Sequence, residues 1–259
     1  MDSSSCPSSW VDGLYSFTWY GSAGAGQSVE KIAAANVAAI RASQPNGPYA
    51  ILGHSYGGVV AYEMARAMIE EGDIVSSLIL LDALEPEIFR KHAAEADQNE
   101  VFMSIGKLVS EVIGMNIVID VKKMAKKKEG KKIDYLIDCI KNSTIDFDEN
   151  AIRQLYEAYM ADVRCYLKYE PQPLGATVSF VLCKATSTIE RQPSLPDDYG
   201  WARLAKASLR TVEIDADHYS ILSRVCPDII SASSMNVPRE PDVSCIKRKK
   251  KPKPTGKKS

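Results

Sequence analysis

Two kinds of hydrophobic spacing alternate along the first third of the chain. "LYSFTW" (14–19) has the composition of a short strand. In "SVEKIAAANVAAIR" (28–41), Ile32, Val37 and Ile40 gather on one face at helical spacing. Ser28 is placed to cap that helix, but Lys31 stands where a full capping box would have an acid. "QPNGP" (44–48) is a turn signal, and Tyr49 to Leu52 follow as a strand. A helix then runs from about Tyr56 to Glu70, with Val60, Met64 and Met68 recurring four apart, and "EGD" (71–73) ends it. "SSLILLD" (76–82) is the near-continuous apolar run of a strand buried on both faces. Strand, helix, strand, helix, strand in this order predicts a parallel sheet with right-handed crossovers, hence an α/β fold.

Residues 87 to 168 break the rhythm. Their apolar positions follow helical spacing throughout, as in "NEVFMSIGKLVSEVIGMN" (99–116), and the Lys-rich "KKMAKKKEGKK" (122–132) reads first as a solvated loop and second as a patch that steers an acidic partner protein. A helical insertion inside an α/β chain predicts a lid over the carboxyl ends of the strands. The stripe that includes Phe102, Ile105 and Val109 reads first as core, and second as the lining of an acyl channel. The strand pattern resumes at "ATVSFVLCKA" (176–185) and "LRTVEID" (209–215). The organisation expected is a flexible Ser-rich start (1–13), one α/β domain (14–235) with its lid at about 87–168, and a basic, disordered tail (236–259).

Charge sharpens the last of these boundaries. Residues 247–259 hold eight Lys and Arg and no acid, so the net charge of −1 divides into a body near −9 and a tail of +8. That tail suits nuclear import or a polyanion, but it lacks aromatic interleaving, so it is a poor nucleic-acid-binding element. No apolar run reaches the ~20 residues of a membrane span, and "MDSSSCPSSW" has no secretory features. A cytoplasmic protein is expected. Its six scattered cysteines then read as free thiols, and its three histidines offer no structural metal site.

Candidate chemistry sits in "PYAILGHSYGGVVAYEMA" (48–65). A nucleophile elbow needs a strand, a sharp strained turn and a helix, with small residues two before and two after the nucleophile. Gly53, Ser55 and Gly57 meet that pattern between a predicted strand and helix. A serine nucleophile needs a base. His54 adjoins Ser55 in the turn and points away from its hydroxyl, and His92 is a solvated lid residue in "FRKHAAEA". His218 follows the last strand at its carboxyl end, where catalytic groups of open α/β sheets collect. For the acid, Asp82 ends the strand after the elbow and leads, ahead of Glu190 in a loop and Asp217 in the turn before His218. Ser55, Asp82, His218 is the chain order of an α/β-hydrolase triad.

Beyond the pentapeptide, the chain resembles the thioesterase domains that end polyketide synthases, nonribosomal peptide synthetases and animal-type fatty acid synthases. The matching stretches are "AIRASQPNGPYAILGHSYGGVVAYEMARAM", "VSSLILLDALEP", "YEPQPLGATVSFVLCKA" and "DDYGWARLAKASLRTVEIDADHYSIL". The resemblance implies an α/β-hydrolase fold with Ser55, Asp82 and His218 in the catalytic roles. It also implies an acyl-enzyme on Ser55, drawn from a phosphopantetheine thioester on an acyl or peptidyl carrier protein or on CoA. No bound cofactor is implied, and the Tyr56 backbone N–H becomes one oxyanion donor. The family's second donor comes from a Pro/Gly-rich loop upstream of the strand that "LYSFTW" matches, and the sequence holds no counterpart. An N-terminally shortened domain is therefore expected, with "LYSFTW" sliding beside the Tyr49–Leu52 strand or leaving a sheet edge open. The missing donor keeps two alternatives in view: an impaired remnant that binds acyl groups or a partner, and a generic carboxylic-ester hydrolase.

Overall fold

The computed structural model describes residues 14–17, 27–95, 106, 117–141, 148–176, 178–205 and 209–224. Among them, five strands form one parallel sheet in the order of the sequence: β1 (Leu14–Phe17), β2 (Tyr49–His54), β3 (Val75–Leu81), β4 (Ser179–Ala185) and β5 (Arg210–Ile214). β1 lies directly beside β2, pairing Leu14 with Ala50 and Phe17 with Gly53, which is the sliding alternative expected for "LYSFTW". His54 pairs with Leu81, Leu81 with Cys183, and Ala185 with Ile214, so the carboxyl ends of β2 to β5 form one level edge.

The first two helices form where the apolar spacing places them. α1 (Val29–Ser43) starts at Ser28, whose hydroxyl accepts the Lys31 N–H at 3.4 Å, and buries Ile32, Val37 and Ile40. α2 (Tyr56–Glu70) follows the elbow and buries Val60, Met64 and Met68. Both helices share one cluster with Tyr49, Ile51, Leu78, Leu80, Phe180 and Leu182, which project from one face of the sheet. The alternate residues Leu52, Ile79, Leu81, Val181 and Cys183 pack on the other face against Ile221. Strands buried on both faces explain why their sequences are apolar without alternation.

Between β3 and β4 the described chain is helical: α3 (Pro86–Glu95), α4 (Val121–Ala125), α5 (Glu129–Lys141) and α6 (Glu149–Lys168). The loop expected at 122–132 shrinks to a turn at 126–128 between two helices. Asp120 caps α4 by accepting the Lys123 N–H at 3.1 Å, and Lys131 and Lys132 already lie in α5. Lysine is a good helix former. Lys122 and Lys123 stay exposed on α4 and Lys131 exposed on α5, while Lys132 is buried on α5 and only 126–128 leave the helical path. The lid has its own small core, in which Met124, Leu136, Ile137 and Ile140 meet Ile152 and Tyr156. α6 joins this core to the main one, with Ile152 and Tyr156 in the first and Cys165 and Tyr166 in the second. Phe102, Ile105 and Val109 fall outside the described residues. After β4 come α7 (Thr186–Arg191), a short 3-10 turn at Trp201–Arg203, β5, and α8 (Ile221–Arg224). Among the described residues no helix is long and apolar enough to cross a membrane.

Candidate active site

Ser55 sits at the turn between β2 and α2 with φ 53° and ψ −126°, outside the regions that ordinary residues occupy. Such strain persists only where the surroundings enforce it. Here the Ser55 N–H donates to the Leu81 carbonyl at 2.9 Å, and its own carbonyl accepts the Gly58 N–H at 2.9 Å. The turn is tight enough to require Gly53. A Cβ there would lie 2.2 Å from the Gly57 carbonyl oxygen and 2.7 Å from Ala61 Cβ.

Three side chains from three strand ends meet at this edge. Ser55 Oγ lies 3.0 Å from His218 Nε2, and His218 Nδ1 lies 2.7 Å from Asp82 Oδ2. The carboxylate accepts at Nδ1, so that nitrogen carries the proton and the Nε2 lone pair faces the serine hydroxyl. Asp82 leaves β3 with φ 46°, a left-handed turn that aims its carboxylate along the sheet edge. Its Oδ1 accepts the Ala185 N–H at 3.0 Å and the Tyr199 hydroxyl at 3.3 Å, while Oδ2 also accepts the Thr188 hydroxyl at 2.7 Å. Burial pushes the Asp82 carboxyl up, but bonds from His218, Thr188 and the Ala185 N–H more than offset this. The net effect holds it below the usual carboxylate range.

The other candidates lie elsewhere. Glu190 is an exposed residue of α7. Asp217 shapes the turn before α8, its Oδ1 accepting the Tyr219 and Ser220 N–H groups at 2.9 Å each. His92 is half-buried on α3.

The sequence reading gave His54 no task, yet it is tied to His218. Its Nε2 lies 2.6 Å from the His218 backbone carbonyl, and the two rings are 4.7 Å apart. A carbonyl only accepts, so His54 Nε2 is the protonated nitrogen. Burial first, and the neighbouring His218 charge second, lower its pKa to about 4, which keeps the ring neutral. The one signal for this in the sequence was a histidine in the last position of a buried strand. Thr188 and Tyr199 left no local signal at all, because their partner is more than 100 residues away. Among the described residues no three His, Cys, Asp or Glu side chains converge as metal ligands.

A parallel sheet flanked by helices, with a strained serine after one strand and a histidine and an aspartate after two others, defines the α/β-hydrolase class. The family model "Thioesterase domain" matches residues 16–233, and the chain belongs to that family, of the type found in polyketide and nonribosomal peptide synthases. The non-reducing polyketide synthase ntnG of Nectria sp is 27% identical over 218 residues, covering 76% of this chain and 9% of that protein. The non-reducing polyketide synthase crz7 of Cladonia metacorallifera is 52% identical over 56 residues, 22% of this chain and 3% of its own. The chain thus spans less than a tenth of the length of either relative. Among solved structures, a four-domain nonribosomal peptide synthetase bound to AMP and glycine superposes with a TM-score of 0.63 at 22% identity, covering 82% of this chain and 16% of the other. The Vlm2 thioesterase domain bound with a dodecadepsipeptide gives 0.52 at 17% identity, covering 84% and 79%. At these identities the structures speak for the fold alone.

Proposed function

We propose that the chain is a serine thioesterase domain that releases an acyl, polyketide or peptidyl chain from a phosphopantetheine thioester. The observation that carries this is the hydrogen-bonded run from Ser55 through His218 to Asp82 at one sheet edge. His218 Nε2 takes the Ser55 proton as Oγ attacks the thioester carbonyl, and Asp82 stabilises the imidazolium. The tetrahedral oxyanion collapses, the carbon–sulfur bond breaks, and His218 returns the proton to the leaving thiol. Water, or a nucleophile within the acyl chain, then attacks the Ser55 ester by the same route and restores the serine.

The oxyanion needs N–H donors held in place before it forms. The Tyr56 N–H is one candidate, because amides in the first turn of a helix have no intrahelical acceptor. A second donor belongs on the β1 side of β2. The glycines of "WYGSAGAG" (19–26), which lead from β1 toward α1, lie outside the described residues. The thioester donor is a carrier protein or CoA, as suits a domain found in polyketide synthases. The domain is read as 14–235, with a cytoplasmic setting and with nuclear import through the basic tail as a separate property.

Covalent labelling with a fluorophosphonate, located by mass spectrometry, tests this reading. A rapid adduct on Ser55 that His218→Ala abolishes supports the triad. Faster turnover of thioesters than of matched oxygen esters then separates a thioesterase from a general esterase. A folded chain that binds acyl thioesters yet forms no adduct would instead be an impaired remnant.

A further inference from the structure

Two buried polar atoms lack a hydrogen-bond partner of ordinary geometry: Asp162 Oδ1 on α6, and the hydroxyl of Tyr56, the residue after Ser55, which has only the weakly accepting Cys165 thiol within reach. Asp162 is only 8% exposed. It belongs to the inner face of α6 together with Cys165 and Tyr166. That face meets the elbow directly, since the Tyr166 ring lies 5.7 Å from the Tyr56 ring and stacks on Phe89 at 3.9 Å. Its other polar groups are engaged, the Tyr166 hydroxyl with the Leu84 carbonyl at 2.6 Å and the Cys165 thiol with the Gln27 carbonyl at 3.4 Å. Burial first, and the Asp162 charge as a lesser contribution, raise the pKa of both Tyr56 and Cys165. Burial alone lifts the Asp162 carboxyl itself to about 7.

A buried acceptor and a buried donor without ordinary partners are a net cost to folding, and apolar residues of the same size would avoid it. They make sense where a ligand completes them. The ligand group must give a hydrogen to Asp162 Oδ1 and accept one from the Tyr56 O–H. An alcohol or phenol does both. At pH 8, where Asp162 is a carboxylate and only accepts, an ammonium cannot accept from Tyr56 and a ketone cannot donate to Asp162, so the comparison below is made at that pH. We propose that Asp162 and Tyr56 form a polar subsite that selects acyl chains carrying a neutral hydroxyl group, held between the lid helix and the elbow. This rests on the thioesterase reading.

The test uses the full chain with Ser55→Ala, so that thioesters bind without being consumed. Calorimetry would compare the N-acetylcysteamine thioesters of octanoic acid and of 3-, 5- and 7-hydroxyoctanoic acid. One hydroxyl position should bind at least tenfold more tightly than octanoyl. That advantage should fall below threefold when Asp162→Leu is added, and shrink when Tyr56→Phe is added, with melting temperatures confirming that each variant folds. The 5- and 7-amino and 5- and 7-oxo analogues should bind no better than octanoyl. The subsite is overturned if no hydroxyl position gains more than twofold, if the gain survives both substitutions, or if an amino or oxo analogue outbinds every alcohol. Octanoyl binding without a hydroxyl gain sinks the subsite alone. Failure of every thioester to bind, octanoyl included, sinks the thioesterase reading as well.

Discussion

The carboxyl edge of the sheet and the inner face of α6 treat buried polar atoms in opposite ways. At the sheet edge, both Asp82 oxygens are fully engaged, by His218 and Thr188 on one and the Ala185 N–H and Tyr199 on the other. Both nitrogens of His218 are engaged too, and His54 holds its backbone. Where α6 meets the start of α2, Asp162 Oδ1 and the Tyr56 hydroxyl lack a hydrogen-bond partner of ordinary geometry. The first region is complete before a substrate arrives, as preorganised catalysis requires. The second would be completed by the proposed hydroxyl ligand. On the proposed reading, the groups that do the chemistry sit at the sheet edge and those that select the substrate sit on the helical cover, where substitutions would change the substrate without disturbing the chemistry.

Breaking the finished region should have the largest effects. Ser55→Ala should abolish both fluorophosphonate labelling and thioester turnover. Asp82→Asn keeps the shape but offers an amide where a carboxylate fixed the tautomer, so turnover should fall by about 10⁴-fold. Glu190→Gln, on an exposed face of α7, should leave labelling rates unchanged, and a loss there equal to that of Asp82→Asn would overturn the assignment of the acid.

The same division explains what could be read from the sequence. The strands and the first two helices were legible because apolar spacing records burial against immediate neighbours, and the elbow because Gly53, Ser55 and Gly57 answer a local steric demand. The pairing of Asp82 with His218 could be inferred from strand ends, since a parallel sheet brings its carboxyl ends to one edge. Tyr199 and Thr188 were not legible, as nothing near them in sequence marks a bond to Asp82. The lysines at 122–132 misled because composition reports solvation, whereas the helices there are set by the Asp120 cap and by the apolar face of Ile133, Leu136, Ile137 and Ile140. Asp162 was hidden for a simpler reason: a single acid on an amphipathic helix looks like part of its solvated face.

His54 tests how complete the sheet edge is. Removing its bond to the His218 carbonyl leaves that carbonyl without this partner and His218 more loosely held. One such bond is worth roughly 0.5–1.5 kcal/mol. His54→Ala should therefore slow acylation by about tenfold with KM little changed. His54→Gln, which keeps a side-chain N–H donor, should recover most of the rate. Equal losses in both variants, or losses that follow the melting temperature alone, would reduce His54 to a packing residue.

The smallest effect is on stability, and it separates the two regions by sign. The Asp162 carboxyl titrates at about 7 in the folded protein, well above its unfolded value. The folded state therefore holds the extra proton between about pH 4 and 7, and this contribution is lost as pH rises through 7. His54 behaves oppositely. Its folded pKa of about 4 lies below the unfolded value, so its contribution grows as pH rises from 4 to 6.5. In the wild type the two partly cancel across this window. Asp162→Leu removes one and leaves the other, so its stability should rise more steeply with pH than that of the wild type. Urea titrations at pH 5 and pH 8 would read the difference, with the variant's advantage larger at pH 8 by on the order of 2 kcal/mol. An advantage that is the same at both pH values would mean that Asp162 is ionised in the folded protein throughout. A cation or a donor would then already satisfy it, and the contrast between sheet edge and lid would disappear.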